Sequence, residues 1–189
     1  MTASLYQGSL LSSVLEWVGK KKIAGKVPPV LEAIKLHRRF VKKGCPDRHK
    51  KTALRSDDVQ DWQGVSLGKV TQQNEIFLEL FYRKEMKDFA PVEVEAEFTL
   101  QLAGVPVHSW IDVVEEKYIW DYKTSGSGGW FLDPQKSLQL MLYAVAKQKN
   151  RVGYIIFDKK KTDVELKKAP LALDLEQCKR WLEFTVGKV

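Results

Sequence analysis

The sequence predicts an α/β protein, a mixed β-sheet with helices around it, and three observations predict it. A two-residue alternation runs from Val92 to Leu102: Val92, Val94, Ala96, Phe98, Leu100 and Leu102 interleave with Glu93, Glu95, Glu97, Thr99 and Gln101. That is the period of a half-buried strand. Helical apolar stripes lie on both sides of it, the first around residues 9–18 and a later one through Leu138, Leu142 and Val145. A continuous apolar run, residues 151–157, then follows the later stripe, as a strand from the interior of a sheet does.

A chain of 189 residues, 44% hydrophobic and 29% charged, suits one soluble domain with a sizeable core. We expect a single unit over residues 1–189, helical to about residue 90 and built on the sheet from about 91 onward. No apolar run approaches the roughly 20 residues of a membrane span. Met1-Thr2-Ala3-Ser4-Leu5 lacks the basic start and apolar core of a signal peptide. Cys45 and Cys178, far apart, do not make a disulfide framework, so a cytoplasmic setting is expected. Lys and Arg number 31 against 24 acidic residues, a formal net charge of +7, which favours anionic partners, nucleic acid first.

In chain order, Leu10, Leu11, Val14, Leu15 and Val18 form the first stripe, which Gly19 and Lys20-Lys21-Lys22 are expected to end. Those lysines are either a solvated terminus or a phosphate contact. Pro28-Pro29 precedes a second helix, whose Val30, Ile34, His37 and Val41 share a face and which Gly44 closes. His37 on that face is either a satisfied core histidine or a ligand. Residues 45–74 read as loops with one short helix, and residues 75–88 as a helix that Pro91 stops. Ala103-Gly104 turns the alternating strand into Val105–Val114. Ser125-Gly126-Ser127-Gly128-Gly129 reads as a loop, and no Gly-Lys-Ser/Thr makes it a nucleotide phosphate loop. Asp133-Pro134 opens a helix to about Lys149, on which Gln139 and Tyr143 share a face. After the interior strand, Val164-Glu165-Leu166 reads as an edge strand. Asp174 caps a last helix that turns Leu175, Cys178 and Leu182 inward, with Trp181 beside them.

The stretch Trp110–Thr124 carries the chemistry. Two β-branched or aromatic runs flank Glu115-Glu116-Lys117, so a turn at Glu116-Lys117 pairs 115 with 118, 114 with 119, 113 with 120 and 112 with 121. Asp112 and Asp121 then stand opposite, with Cβ atoms about 5 Å apart, and Lys123 falls on the same face. Two like charges so placed repel and are partly desolvated among apolar neighbours. A hard divalent cation such as Mg2+ or Mn2+ between them would reverse the sign of that cost. The alternative is a surface hairpin whose carboxylates face water, with Lys123 as an ion-pair partner.

These residues resemble the PD-(D/E)XK nuclease superfamily, specifically its RecB-like exonuclease branch, over roughly residues 30–157. Ile111-Asp112 resembles the family's first Asp strand, and Asp121-Tyr122-Lys123-Thr124 its Asp-x-Lys strand. Gln139-Leu-Met-Leu-Tyr143 resembles its Gln-x-x-x-Tyr helix, and Val94-Glu95 the Val-Glu of an earlier strand. Ala33-Ile-Lys-Leu-His37 resembles an early Gly-x-x-x-His helix with alanine for glycine, and Ser109 stands where a glycine three before the first Asp is usual. The resemblance implies a restriction-endonuclease-like core and metal-dependent hydrolysis of phosphodiester bonds in DNA. It implies Mg2+ or Mn2+ held by Asp112, Asp121, the backbone carbonyl of Tyr122 and His37, with Lys123 acting on water and phosphate. Gln139 and Tyr143 would support the site and the DNA backbone, and Glu95 would stand behind it. Branches of the family with an iron–sulfur cluster carry four cysteines, so with two no such cluster is expected here.

The expected activity is a DNA exonuclease of recombination, repair or phage replication, with other recombination or replication proteins as further partners and no membrane. A structure-specific or restriction-type endonuclease, and a silent DNA-binding subunit, are the rival readings. Polarity, strand preference and oligomeric state are not set by the sequence.

Overall fold

The structure is a computed structural model, and it describes residues 1–46, 53–62, 64–125, 133–159 and 164–187. The chain begins with helix α1 (Ala3–Ile23), whose first turn is capped by the Thr2 side chain accepting from Leu5 N–H at 3.4 Å. It is longer than the stripe at 9–18 implied, and Gly19 and the three lysines lie inside it rather than ending it. Gly19 is there for contact: a Cβ at that position would stand 2.5 Å from Val94 Cγ1, so a helix with any side chain there could not lie as close to the sheet. Helix α2 (Val30–Lys43) follows Pro28-Pro29 and stops at Gly44, whose φ of 92° suits glycine. Helix α3 (Leu67–Lys84) starts well before residue 75, because Ser66 caps it and Val70, Asn74, Phe77 and Leu78 continue one buried stripe. It ends at Lys84, clear of Pro91.

Five strands form one sheet in the order β1 (Pro91–Leu102), β2 (Val105–Glu115), β3 (Ile119–Ser125), β4 (Arg151–Lys159), β5 (Val164–Ala172). The first three are an antiparallel meander. β3 and β4 run parallel, joined through helix α4 (Leu138–Lys147), and β5 returns antiparallel on the edge. β3 is thus the middle strand, and β4 is interior and buried as expected, paired on both sides by β3 and β5. Pro170 sits on β5, where an edge strand tolerates it. The predicted helix from Asp133 divides into a single 3-10 turn, Pro134–Lys136, and α4, which Ser137 caps by accepting from Leu140 N–H at 3.2 Å. Helix α5 (Leu175–Val186) buries Cys178 and Leu182 behind the Asp174 cap, while Trp181 is 54% exposed. Gly126–Gly129 of the expected loop lie outside the described residues.

The sheet separates two cores. Val113, Trp120, Ile155 and Phe157 pack with α1 and α3 on one side. Ile111, Ile119, Val152, Tyr154 and Ile156 pack with α4 on the other. The alternation along β1 is broken twice: a register shift between Pro91 and Glu93 leaves Val92 exposed rather than buried as expected, and further on Val94 packs with the first core but Ala96, two residues later, with the second. Glu95 between them has φ 50°, outside the strand region, which turns the strand over. Its cross-strand neighbours Val113 and Ile111 divide between the cores in the same way, and Asp112 lies between those two. No helix among the described residues is long and apolar enough to cross a membrane.

Candidate active site where two strands part

The hairpin of β2 and β3 closes as its residues require. Glu115 N–H donates to the Tyr118 carbonyl at 2.8 Å, Val114 faces Ile119, and Val113 faces Trp120. There the ladder stops. Asp112 and Asp121 do not form the directly opposed pair expected of them, because the reversal at Glu95 draws β2 away from β3 at this step. Continued pairing would give Tyr122 N–H to the Ile111 carbonyl. Instead it donates to Asp112 Oδ2 at 2.7 Å, so the first carboxylate fills the gap that the parting strands open. The N–H and C=O of one strand residue leave on the same edge, which aims the Tyr122 carbonyl into that gap as well.

Asp121 is 2% exposed, and its Oδ2 lies 2.7 Å from Lys123 Nζ. Burial raises its pKa far above the usual carboxylate range, and the charge of Asp112 raises it further. Lys123 and a hydrogen bond from Tyr143 oppose the rise without cancelling it. Burial alone would lower the lysine, but the charge and hydrogen bond of Asp121, then Asp112, outweigh it and keep the ammonium protonated. Helix α4 completes the arrangement. Lys123 Nζ donates to Gln139 Oε1 at 3.0 Å, and Gln139 Nε2 donates to the Tyr143 hydroxyl at 2.6 Å. Ser109 also hydrogen-bonds that hydroxyl, so the residue standing where the family has glycine supports the site. Asp112, Asp121, Lys123, Gln139 and Tyr143 are therefore brought together by β2, β3 and α4.

All of them but the buried Tyr143 line a cleft of about 1390 Å3. Its far wall was not foreseen: Ser4, Gly8 and Ser12 of α1 and, from the segment behind α2, Arg55. The signal was in the sequence, as Ser4-x-x-x-Gly8-x-x-x-Ser12 puts three small residues at four-residue spacing on one edge of an otherwise apolar helix.

His37 is not brought there. It is fully buried between α2 and α3, its Nε2 3.3 Å from Asn74 Nδ2, and it does not line the cleft. Burial lowers its pKa to about 4, with Glu75 opposing and Arg38 adding to the drop, and neither Asp112 nor Asp121 contributes. The ligand role that the resemblance implied for His37 lacks the geometry, and its bland alternative, a core histidine, is the one observed. Lys20–Lys22, which the sequence leaves as a solvated terminus or a phosphate contact, and Arg38 do not line the cleft either. Arg38 is held by Glu75 through two hydrogen bonds of 2.8 and 2.7 Å, and Lys20–Lys22 occupy the last turn of α1, the end far from Gly8.

The donor set fits a hard divalent cation. Asp121, almost fully buried and of raised pKa, stands beside the Asp112 carboxylate, and the N–H and C=O of Tyr122 share the edge that faces the same gap. Among the described residues no third His, Cys, Asp or Glu joins them. That suits Mg2+, which takes one or two carboxylates and fills its octahedron with water and substrate phosphate.

One protein family matches the chain, the PD-(D/E)XK nuclease superfamily, over residues 2–187. A solved structure from Eubacterium rectale, described as a candidate exonuclease, superposes with a TM-score of 0.53 at 13% identity. The match covers 96% of this chain and 65% of that one, so this chain spans less than two thirds of its length. A second solved structure, SSO0001, reaches a TM-score of 0.39 at 15% identity, covering 67% of this chain and 64% of that one, and carries no argument. No curated protein matches.

Proposed function

The chain belongs to the PD-(D/E)XK nuclease superfamily, and from that premise we propose that it is a divalent-cation-dependent exonuclease that hydrolyses DNA from an end. The observation that carries the proposal is the Asp112–Asp121–Lys123 arrangement, two carboxylates held close to an ammonium at the mouth of a cleft. It costs folding energy unless charge arrives from outside. Asp112, Asp121 and the Tyr122 carbonyl would hold Mg2+ or Mn2+, with no iron–sulfur cluster required. When bound, such a cation supplies Lewis-acid polarisation of water and of a phosphate oxygen.

The chain's own groups do the rest. Asp121 and Gln139 fix the Lys123 ammonium from two sides, so its remaining N–H is available to negative charge developing on the scissile phosphate. Gln139 and Tyr143 hold that lysine and Asp121 in one constellation, which limits the reorganisation needed in the transition state. Arg55, exposed on the opposite wall, is placed to meet a second phosphate of the same strand. The fold likeness to a protein described as a candidate exonuclease supports cutting from ends.

End-labelled linear DNA and a covalently closed circle, each incubated with the protein and Mg2+, separate the possibilities. The linear molecule should shorten progressively while the circle survives. Cutting of both would make the protein an endonuclease, and binding without cutting would make it a silent subunit.

A further inference from the structure

We infer that Tyr154 is the positioning residue for Lys123, acting from below through its ring and from the side through its hydroxyl. This rests on the cleft being the nuclease site. Tyr154 lies on β4 directly beside Asp121 in the parallel register, so its side chain shares the face of Asp121 and Lys123. It is 4% exposed, and the Lys123 ammonium lies 5.8 Å from the centre of its ring. That is cation–π range. Its hydroxyl donates to Ser137 Oγ at 2.6 Å. Ser137 is the N-cap of α4, its Oγ accepting from Leu140 N–H at 3.2 Å, and Gln139 follows in the same first turn. Gln139 Oε1 accepts from Lys123 Nζ at 3.0 Å.

A closed circuit results: Lys123 to Gln139, along the start of α4 to Ser137, across to Tyr154 on β4, and back to Lys123. Its purpose follows from what lysine is. The ammonium ends four rotatable bonds, and a point charge on such a stem occupies a volume rather than a place. Asp121 binds it, but one ion pair fixes distance and not direction. Gln139 supplies the direction only if α4 starts at a fixed height above the sheet. The Tyr154 hydroxyl sets that height, because it is the bond from the body of the sheet to the cap of the helix. The ring then closes the space beneath the ammonium and leaves the cleft as the side toward which its third N–H can point. Phenylalanine at 154 would keep the floor and lose the tether; leucine would lose both.

The test compares the parent chain with Tyr154→Phe and Tyr154→Leu in two readouts. In the first, linear DNA is digested in Mn2+ over a range of DNA concentrations. Tyr154→Phe should lower kcat about tenfold with KM unchanged, and Tyr154→Leu should lower it further, toward the hundredfold that a misplacement near 1 Å can cost. A general loss of structure would instead lower Tm and the active fraction. In the second, Lys123 is methylated with formaldehyde and cyanoborohydride and followed by mass spectrometry, without metal or DNA. Both variants should be modified faster than the parent, the leucine variant fastest. A parent-like kcat or a parent-like methylation rate in Tyr154→Phe would overturn the inference, and that variant decides alone if Tyr154→Leu does not fold. A parent chain that cuts no DNA fails the nuclease reading by itself, and the methylation rates then still decide the positioning.

Discussion

At the scale of the residue, the site trades stability for placement. Asp121 is buried beside a second carboxylate, and its raised pKa records the cost. Asp121→Ala should therefore lower nuclease activity about a thousandfold or more, on the order of 4 kcal/mol of transition-state stabilisation. Without metal its Tm should be equal to or above that of the parent. Lys123→Ala should still bind Mn2+ in a calorimetric titration yet lose cleavage, since the lysine acts on phosphate and water rather than on the ion. Cleavage of linear DNA at the parent rate by Asp121→Ala would remove the assignment.

His37 makes a different statement. It is kept neutral by burial, its pKa falling from the usual 6.5 to about 4, with Arg38, Glu75 and Asn74 the groups around it. Between those values the unfolded chain takes up a proton that the folded chain refuses. Stability is thus lost as pH falls from about 6.5 to about 4, by up to roughly 3 kcal/mol. Asp121 works the other way over all of that range, because its folded pKa is raised from 3.8 to about 7 and protonation there favours the folded chain. The difference between parent and His37→Gln isolates the histidine: urea unfolding at pH 7 and pH 4.5 should show a smaller loss in the variant. An equal loss in both would mean that His37 is protonated in the folded state.

At the scale of the element, the decisive event is the reversal of β1 at Glu95. A regular pair β1–β2 would carry β2 alongside β3 to its end and leave no gap for Asp112. The left-handed residue diverts it, and Asp112 takes the N–H that the missing rung frees. The other side of β3 allows no such latitude. Gly153 on β4 is enclosed: a Cβ there would lie 2.4 Å from the Ala169 carbonyl oxygen and 2.7 Å from the Trp120 ring. Because backbone of β5 is the nearer neighbour, no rotamer relieves the clash. Gly153→Ala should cost about 1–3 kcal/mol in urea unfolding, and an unchanged midpoint would show that β5 can move away. The same enclosure keeps β4 against β3 while β2 departs, so the sheet opens on one side only.

At the scale of the whole molecule, the distribution of charge bears on the proposed DNA substrate. The net charge of +7 is spread over the surface and much of it is committed, as in Arg38 with Glu75, Lys147 with Glu93, Lys168 with Glu85 and Lys20 with Glu16. The cleft itself holds few cations among the described residues, Lys123 and Arg55. Affinity for DNA should accordingly come from many weak phosphate contacts outside the cleft. If about five phosphates are neutralised, log K should fall against log salt with a slope near −4 to −5. Fluorescence anisotropy checks this, and a slope near zero would remove DNA as the partner. Arg55→Ala should flatten the slope by about one.

The sequence by itself determined the strands, their register through Val113 and Trp120, and the shared helix face of Gln139 and Tyr143; that these two join Asp112, Asp121 and Lys123 was implied only by the family resemblance. The first three depend on local repeats: a period of two, a two-residue turn, a four-residue step along a helix. Such repeats are fixed by backbone geometry over a few residues and can be read without knowing what packs against them. What only the tertiary structure decided is where those pieces meet. His37 shares an apolar helix face in either of its two readings, and only the distance from α2 to the cleft separates them. Ser4, Gly8 and Ser12 are a visible repeat on α1, but what that repeat faces is set only where the helix crosses β3. Tyr154 looks like one more aromatic in a buried strand until the parallel register sets it beside Asp121. Long-range placement of this kind is the sum of many contacts between distant segments, and no stretch of sequence holds it alone.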